Sequence, residues 1–384
     1  MNYQEESLKQ HLIHQGKIEI KSKFGSLVTK DDLSIAYTPG VATVSTLLAI
    51  DPSKAYEYSI KGNTIAVVSD GSAVLGLGNI GPYGALPVME GKALLFKEFG
   101  GIDAYPIVLA TQNTEEIIQI VKAISPTFGG INLEDISSPR CFEIEERLIK
   151  ELDIPVFHDD QHGTAIVVLA ALINSLKLVK KEKENIKVVI CGAGAAGIAI
   201  TKLLITYQIK KIILVDSVGI VSKSRADLNS VKSSMVTITN PDNINGDLKD
   251  ALINADVFVG VSVAGILKPE YIKEMAEKPI IFVMANPVPE IMPDIAKQAG
   301  AYIVGTGRSD FPNQINNVLV FPGLFRGLLD NKIKVVTNGI KIAVAQTLAG
   351  YIKNADLSVD NILPSVLDRK VSKAVARSIK IKAV

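Results

Sequence analysis

The chain has 384 residues, of which 47% are hydrophobic and 21% charged, with a formal net charge of +1. That length suggests two domains with ample apolar surface to bury, and the near-neutral charge excludes nucleic acid or an anionic membrane as a bulk partner. The start, Met1-Asn-Tyr-Gln-Glu-Glu, lacks the basic and apolar parts of a signal peptide, the longest apolar run, Thr164 to Ile173, is about half a membrane span, and Cys141 and Cys191 have no metal-type spacing, so a soluble cytoplasmic protein is expected.

Taken in order, residues 1 to 30 read as a helix followed by irregular chain, with Glu5, Glu6, Lys9 and Lys17 on a solvated face. Pro39 and Gly40 then force a turn just after Tyr37, and on the residues alone that tyrosine reads as packing before catalysis. Asn63 to Asp70 is a buried strand that leads into a glycine-rich stretch containing Gly76, Gly78 and Gly81, a G-x-G-x-x-G match. Pro82, Gly84 and Pro87 follow at once, so this match predicts a loop lining a site and no helix directly after it. The segment Val88 to Lys97 predicts the start of an apolar helix with Lys92 in its first turn. A positive charge there opposes the helix dipole and suits a lysine whose pKa must fall.

Strand Ala104 to Leu109, helix Thr114 to Ile124 and the strand ending at Glu134 continue a βα alternation; Arg140 to Leu152 is a charged helix with no special signal. Two short apolar strands end in carboxylate pairs, Glu134-Asp135 and, after Ile154 to Phe157 and His158, Asp159-Asp160. Such pairs are ordinarily solvated loops or helix caps, yet two at strand ends of an open α/β sheet can converge on a hard cation such as Mg²⁺ or Mn²⁺. His158 and His162 are four apart, but a zinc site of that spacing needs a helix, and Gly163 after the strand predicts a loop, with the helix spanning Thr164 to Leu178.

The second half carries a cofactor signature. Strand Ile186 to Ile190 precedes Gly192-Ala193-Gly194-Ala195-Ala196-Gly197, an amphipathic helix follows, and a second strand, Lys211 to Val215, ends at Asp216. That arrangement puts a pyrophosphate on the helix N-terminus and a carboxylate at the adenosine ribose, and it favours NAD over NADP, although Lys223 and Arg225 are close enough in sequence to receive a 2′-phosphate. Three more strands, Ala255 to Ser262, Pro279 to Met284 and Ala301 to Val304, end in small or polar residues, including Ala285-Asn286-Pro287, where a crevice belongs. Asn316 and Asn317 are turn formers or substrate donors, and helices Gly339 to Lys353 and Asp368 to Lys382 close the chain, the last packing through Val371, Val375 and Ile379. The fold class expected is α/β in two domains: an N-terminal α/β substrate and metal domain, residues 1–162, and a C-terminal Rossmann-type NAD(P)-binding domain, residues 163–384.

With these residues assembled, the sequence resembles the malic enzyme family in the compact form found in bacteria and archaea. The likeness rests on Tyr37-Thr-Pro-Gly-Val, Leu75-Gly-Leu-Gly-Asn-Ile-Gly, Glu90-Gly-Lys-Ala, Asn132-Leu-Glu-Asp, Phe157-His-Asp-Asp-Gln-His-Gly-Thr-Ala, the glycine motif at 192, Ala285-Asn-Pro and Asn316-Asn-Val-Leu-Val-Phe-Pro-Gly. The resemblance implies oxidative decarboxylation of L-malate to pyruvate and CO₂, and decarboxylation of oxaloacetate, with NAD or NADP and Mg²⁺ or Mn²⁺. It further implies that Glu134, Asp135 and Asp160 hold the metal, Lys92 is the base, Asp159 supports it, Tyr37 is the acid, Asn286 and Asn317 contact substrate or cofactor, and the chain forms a homodimer. A base lysine must fall by about 2 to 3 units from its ordinary pKa, and burial beside a cation is expected to achieve this. One position departs: larger family members have a carboxylate-binding arginine where this chain has Ala73. That leaves room for an NAD-dependent dehydrogenase of another 2-hydroxy diacid, whereas the other alternative, a two-domain amino-acid dehydrogenase-like enzyme, would have no use for Glu134, Asp135 and Asp160 together.

Overall fold

The short apolar runs pair into two largely parallel sheets in the computed structural model, which describes residues 3–74 and 76–379. The first sheet contains β1 (Thr64–Ser69), β2 (Asp103–Val108), β3 (Ile131–Leu133) and β4 (Val156–His158) in the order β2-β1-β3-β4, every pair parallel. The second contains β5 (Lys187–Cys191), β6 (Lys211–Asp216), β7 (Gly219–Ile220), β8 (Val257–Gly260), β9 (Ile280–Val283) and β10 (Ile303–Thr306) in the order β10-β9-β8-β5-β6-β7, with only the two-residue β7 antiparallel at its edge. Strands covered on both faces need no polar alternation, which is why β1 reads Thr-Ile-Ala-Val-Val-Ser and is buried throughout. The strand order of the second sheet reverses between β5 and β8, and the crevice for a ligand opens beyond the C-terminal ends of those strands.

Helix Asp159–Val179 links the sheets and is the beam of the molecule. It leaves the end of β4 without a connecting loop, every residue from Ala165 to Leu172 is buried, and one continuous apolar core runs from Ile65 and Phe96 past this helix to Val188 and Val259. Its length and hydropathy would let it cross a membrane, but 72% of it lies inside the protein, so its apolar character answers to the core. An aromatic cluster reinforces the seam: Phe96 of helix Gly81–Gly100 lies 4.6 Å from Phe321 and 5.4 Å from Phe325, and Phe325 stands edge-on to Phe157 at 6.0 Å.

Three expectations need correction. A helix does follow the first glycine motif directly, spanning Gly81–Gly100. Pro82 occupies a first-turn position whose N–H would be unpaired anyway, and Pro87 gives up only one intrahelical bond, to the carbonyl of the exposed Tyr83. Lys92 therefore sits in the middle of that helix, not in its first turn. The helix expected at Thr164 begins at Asp159, so His158 to Gly163 is a strand end and helix start rather than a loop. The stretch after Asn317, unassigned from sequence, forms helix Phe321–Asp330. The closing helix is Arg369–Ser378, and the remainder of the expected Asp368 to Lys382 segment from 380 onward lies outside the described residues, as does Leu75 of the Leu-Gly-Leu-Gly motif.

The N-terminal helices Tyr3–His14, Lys30–Ala36 and Val41–Ile50 bury no residue against the rest of the chain. Leu12, Phe24, Ile35 and Ile50 are exposed on them or between them.

Candidate active site

Parallel pairing brings the carboxylates together. Val68 is level with Leu133 and Leu133 with His158, so the residues that follow β3 and β4, Glu134-Asp135 and Asp159-Asp160, emerge at one edge of the sheet. Glu134, Asp135 and Asp160 each offer an oxygen, and these atoms lie within 4.8 Å of one another. Asp135 holds a left-handed backbone (φ 54°), which costs a non-glycine residue roughly 1 kcal/mol or more. Bonds on both sides fix it: its N–H donates to Asp160 Oδ2 (2.7 Å) and its carbonyl accepts from the Ala73 N–H (2.9 Å).

Lys92 reaches the same edge from its helix. Its Nζ donates to Asp159 Oδ2 at 2.6 Å, lies 2.8 Å from Glu134 Oε1 and stands 4.2 Å from the centre of the Phe321 ring. Glu134 is held in turn by Asn132 Nδ2 at 2.8 Å. The expected fall in the lysine pKa is not found in the protein alone. Burial lowers it, but Asp159, Glu134 and Asp160 together outweigh burial and hold the ammonium above the usual lysine range. The dipole argument fails as well, because a mid-helix residue is far from either end.

Three buried carboxylates and the partly buried Asp160 facing one ammonium leave an excess of negative charge. Burial, joined by repulsion from Asp160 and Glu134, pushes Asp135 up to about 9; burial pushes Asp160 up to about 6 and Asp159 up to about 7 against the pull of Lys92, and it raises Glu134 as well. Asp135 Oδ2 is also buried without a hydrogen-bond partner. An all-oxygen trio with an orphaned oxygen and unneutralised charge fits a hard divalent cation. The zinc alternative finds no support. The two histidines are next to or in a helix after all, yet both ring nitrogens of His162 are engaged, Nε2 at 2.9 Å from Glu145 Oε2 and Nδ1 at 3.0 Å from Lys341 Nζ. Among the described residues the carboxylate trio is the one cluster with metal-ligand spacing.

At the second sheet, helix Ala195–Thr206 starts on Gly194 with no side chain capping its first N–H groups. Gly192-Ala193-Gly194 makes the turn, its Gly192 N–H bound to Val215 O of β6 at 2.8 Å, and a Cβ on Gly197 would stand 1.7 Å from Gly192 O. The free N–H groups of Ala195, Ala196 and Gly197 fit a pyrophosphate. Asp216 ends β6 as expected, but its carboxylate is already engaged: Oδ1 accepts from Arg225 Nη1 (2.7 Å) and Oδ2 from Lys232 Nζ (2.5 Å). Burial alone would raise its pKa; the two cations hold it at about 2.

The remaining candidates scatter. Asn317 lies half-buried with its Cβ 3.1 Å from the Cβ position at Gly163, beside Asp159. Asn286 lies exposed beyond β9, and its carbonyl would be 2.3 Å from a Cβ on Gly76, so a glycine loop of the first half touches a strand-end loop of the second. Tyr37 is 66% exposed at the end of helix Lys30–Ala36 and is not brought to Lys92 within one chain. Near Ala73, Arg140 Nη2 contacts Ser72 Oγ (2.9 Å) and Asp70 Oδ2 (2.9 Å), so its charge is committed to Asp70. Sequence reasoning missed Phe321, Lys232 and Glu145. Glu145 alone carried a signal, a charge on the apolar stripe formed by Cys141, Ile144 and Leu148.

With this geometry established, known proteins provide a comparison. Residues 15–149 match the family model described as "Malic enzyme, N-terminal domain" and residues 161–384 match "Malic enzyme, NAD binding domain". The chain is 54% identical over 380 residues to the bifunctional malic/malolactic enzyme of Bacillus subtilis, covering 99% of this chain and 92% of that protein. It is 57% identical over 364 residues to the NAD-dependent malic enzyme of Geobacillus stearothermophilus, covering 95% and 76%. The crystal structure of the NAD-dependent malic enzyme from Thermotoga maritima superposes with a TM-score of 0.94 at 50% identity, covering 97% of this chain and 98% of that one.

The crowding at Gly163 yields a test. A methyl group there would lie 1.8 Å from Asp159 Oδ1, so Gly163→Ala must displace the carboxylate that holds Lys92. Alanine favours a helix over glycine by roughly 1 kcal/mol, so the fold should persist. Turnover should fall by about 10²-fold, the usual effect of misplacing a reacting group by about 1 Å. Wild-type turnover with an unchanged melting temperature would show that Asp159 need not sit where it does.

Proposed function

The chain belongs to the malic enzyme family, and from that premise we propose how its own residues divide the work. It is an oxidoreductase that converts L-malate to pyruvate and CO₂ in a metal-dependent reaction, reducing NAD in preference to NADP. Residues 1–162 form the substrate and metal unit and residues 163–384 the NAD-binding unit. The observation that carries the assignment of roles is the trio Glu134, Asp135 and Asp160, the first two buried, beside the Lys92–Asp159 pair.

Glu134, Asp135 and Asp160 hold Mg²⁺ or Mn²⁺. Bound there, a metal would supply a Lewis acid for the oxygen on C2 of the substrate and a nicotinamide would supply the hydride acceptor. Lys92 takes the proton from the 2-hydroxyl. It can do so once the charge of Glu134 is directed to a cation, because that removes one of the carboxylates now holding the ammonium. Asp159 aims Lys92 and receives the resulting charge change through its 2.6 Å contact. Tyr37 returns a proton to C3 after CO₂ has left, and oxaloacetate supplied directly is decarboxylated at the same place. Asn317, beside Asp159, contacts the substrate, and Asn286, at the end of β9, contacts substrate and cofactor. Gly192 to Gly197 hold the pyrophosphate, and Asp216 faces the adenosine ribose.

We further propose a cytoplasmic homodimer. The N-terminal helices leave Leu8, Leu12, Ile35 and Ile50 exposed with no residue buried against the rest of the chain, and Tyr37, at the end of one of them, is exposed as well, so a second copy packing on these helices supports the reading.

Reduced nicotinamide should appear, read by absorbance, when malate, NAD and Mn²⁺ are supplied together. Excess chelator or Glu134→Ala should abolish it without unfolding the protein, and full turnover in chelator would refute the metal assignment. The acid and base should separate in half-reactions. Lys92→Ala should suppress malate oxidation by a factor on the order of 10²–10⁴, whereas Tyr37→Phe should slow exchange of pyruvate methyl protons with deuterated solvent. Wild-type exchange in Tyr37→Phe would remove the tyrosine from the mechanism. Asp216→Ser should free Lys232 for a 2′-phosphate, Arg225 staying paired with Asp227, and raise kcat/KM for NADP roughly ten- to a hundredfold, the worth of one hydrogen bond to a charged group. An unchanged NADP constant would mean that these cations do not face the ribose.

A further inference from the structure

Glu145 is a charged residue in the wrong place for solvation. On helix Arg140–Glu151 it shares the buried face with Cys141, Ile144 and Leu148, and it is 5% exposed. A carboxylate in such a position is retained only if its oxygens are satisfied. Both are. Oε1 accepts from the backbone N–H of His158 at 2.9 Å, and Oε2 lies 2.9 Å from His162 Nε2. The far side of the same ring, Nδ1, is 3.0 Å from Lys341 Nζ on helix Asn338–Tyr351.

The two anchor points matter more than the bonds themselves. His158 and His162 flank Asp159 and Asp160, so Glu145 grips the segment that bears the Lys92 partner and one of the three metal carboxylates from both ends. Helix Asp159–Val179 has no side-chain cap of its own, and a carboxylate behind its first turn is the favoured sign there. The ring orientation follows from hydrogen-bond inventory: an ammonium only donates, so Nδ1 accepts from Lys341 and Nε2 carries the proton given to Glu145. Lys341 belongs to the NAD-binding half and Glu145 to the other, which makes His162 a link across the seam.

We propose that Glu145 is a positioning residue for the metal site, setting Asp160 and Asp159 by clamping His158 and His162, and that Lys341 acts on that site through the same clamp. This rests on the reading of Glu134, Asp135 and Asp160 as metal ligands. Residues that orient ligands from behind typically change metal affinity by about 10- to 100-fold when removed. Glu145→Gln keeps the shape but loses the charge and one acceptor, and Lys341→Met keeps the stem but loses the donor.

The test is Mn²⁺ titration of the substrate-free protein, read by the electron paramagnetic resonance signal of free Mn²⁺, with melting temperature and NAD affinity measured alongside. Glu145→Gln should raise the Mn²⁺ dissociation constant about 10- to 100-fold while NAD affinity stays at the wild-type value. Lys341→Met should weaken Mn²⁺ binding less, and the double variant should be no worse than Glu145→Gln alone, because one residue works through the other. Glu145→Gln that melts earlier but binds Mn²⁺ as wild type does would make Glu145 a purely structural residue and overturn the proposal. Additive effects of the two substitutions would overturn the link through His162. Should Glu145→Gln fail to fold, Lys341→Met decides alone: wild-type Mn²⁺ affinity in that variant would overturn the clamp. A wild-type protein that binds no Mn²⁺ would instead overturn the ligand assignment on which all of this stands.

Discussion

Negative charge confined in a dry place governs this structure. Glu134, Asp135, Asp159 and Asp160 are gathered at one sheet edge around the single ammonium of Lys92, and burial raises the pKa of every one of them. In water such a cluster would simply disperse; here parallel strands and a helix start hold the carboxylates in place, so the repulsion is stored as affinity for a cation. The surrounding polar contacts serve this confinement. Asn132 holds Glu134, the Asp135 backbone is tied to Asp160 and to Ala73, and Glu145 grips the chain on either side of Asp159 and Asp160.

The confinement holds because the helix that carries Asp159 and Asp160 is also the central beam of the core. Its first turn is polar and belongs to the site, while Ala165 to Leu172 is packed from every side. Displacing the carboxylates therefore means displacing a helix whose middle is fully buried, and protein interiors resist that because they are close-packed. Phe321, far along the chain, joins the same site: its ring faces the Lys92 ammonium and packs on Phe96, so Lys92 rests between that ring and the carboxylates of Glu134 and Asp159. A site assembled across a seam is sensitive to how the halves close, and the Lys341–His162–Glu145 chain crosses that seam close by.

The cofactor end follows a different electrostatic logic. Asp216 is neutralised twice over by Arg225 and Lys232, so the carboxylate that would repel a 2′-phosphate is surrounded by the cations that would welcome one. Arg225 is shared with Asp227, so preference for NAD is a balance between two acids and two bases and not a simple repulsion, and small changes at this place can tip it.

Much of this was legible in the chain itself. Alternating apolar strands and helices, the strand-glycine-helix-strand-acid order around Gly192, and the two carboxylate pairs at strand ends determined the fold class and the candidate ligands, because period and composition are local properties. Local rules misjudged the prolines at 82 and 87 and the start of the helix at Asp159, since an early proline costs a helix little and packing extends helices beyond what propensity suggests. Tertiary structure alone decided what depends on distance between remote residues: that Lys92 also meets Glu134, that Lys232 reaches Asp216, and that Glu145 joins Lys341 through His162. It also decided the charge state of Lys92, which no sequence pattern could give. A pKa is set by the carboxylates that surround a group in space, and Glu134 and the Asp159-Asp160 pair come from two stretches of the chain remote from Lys92.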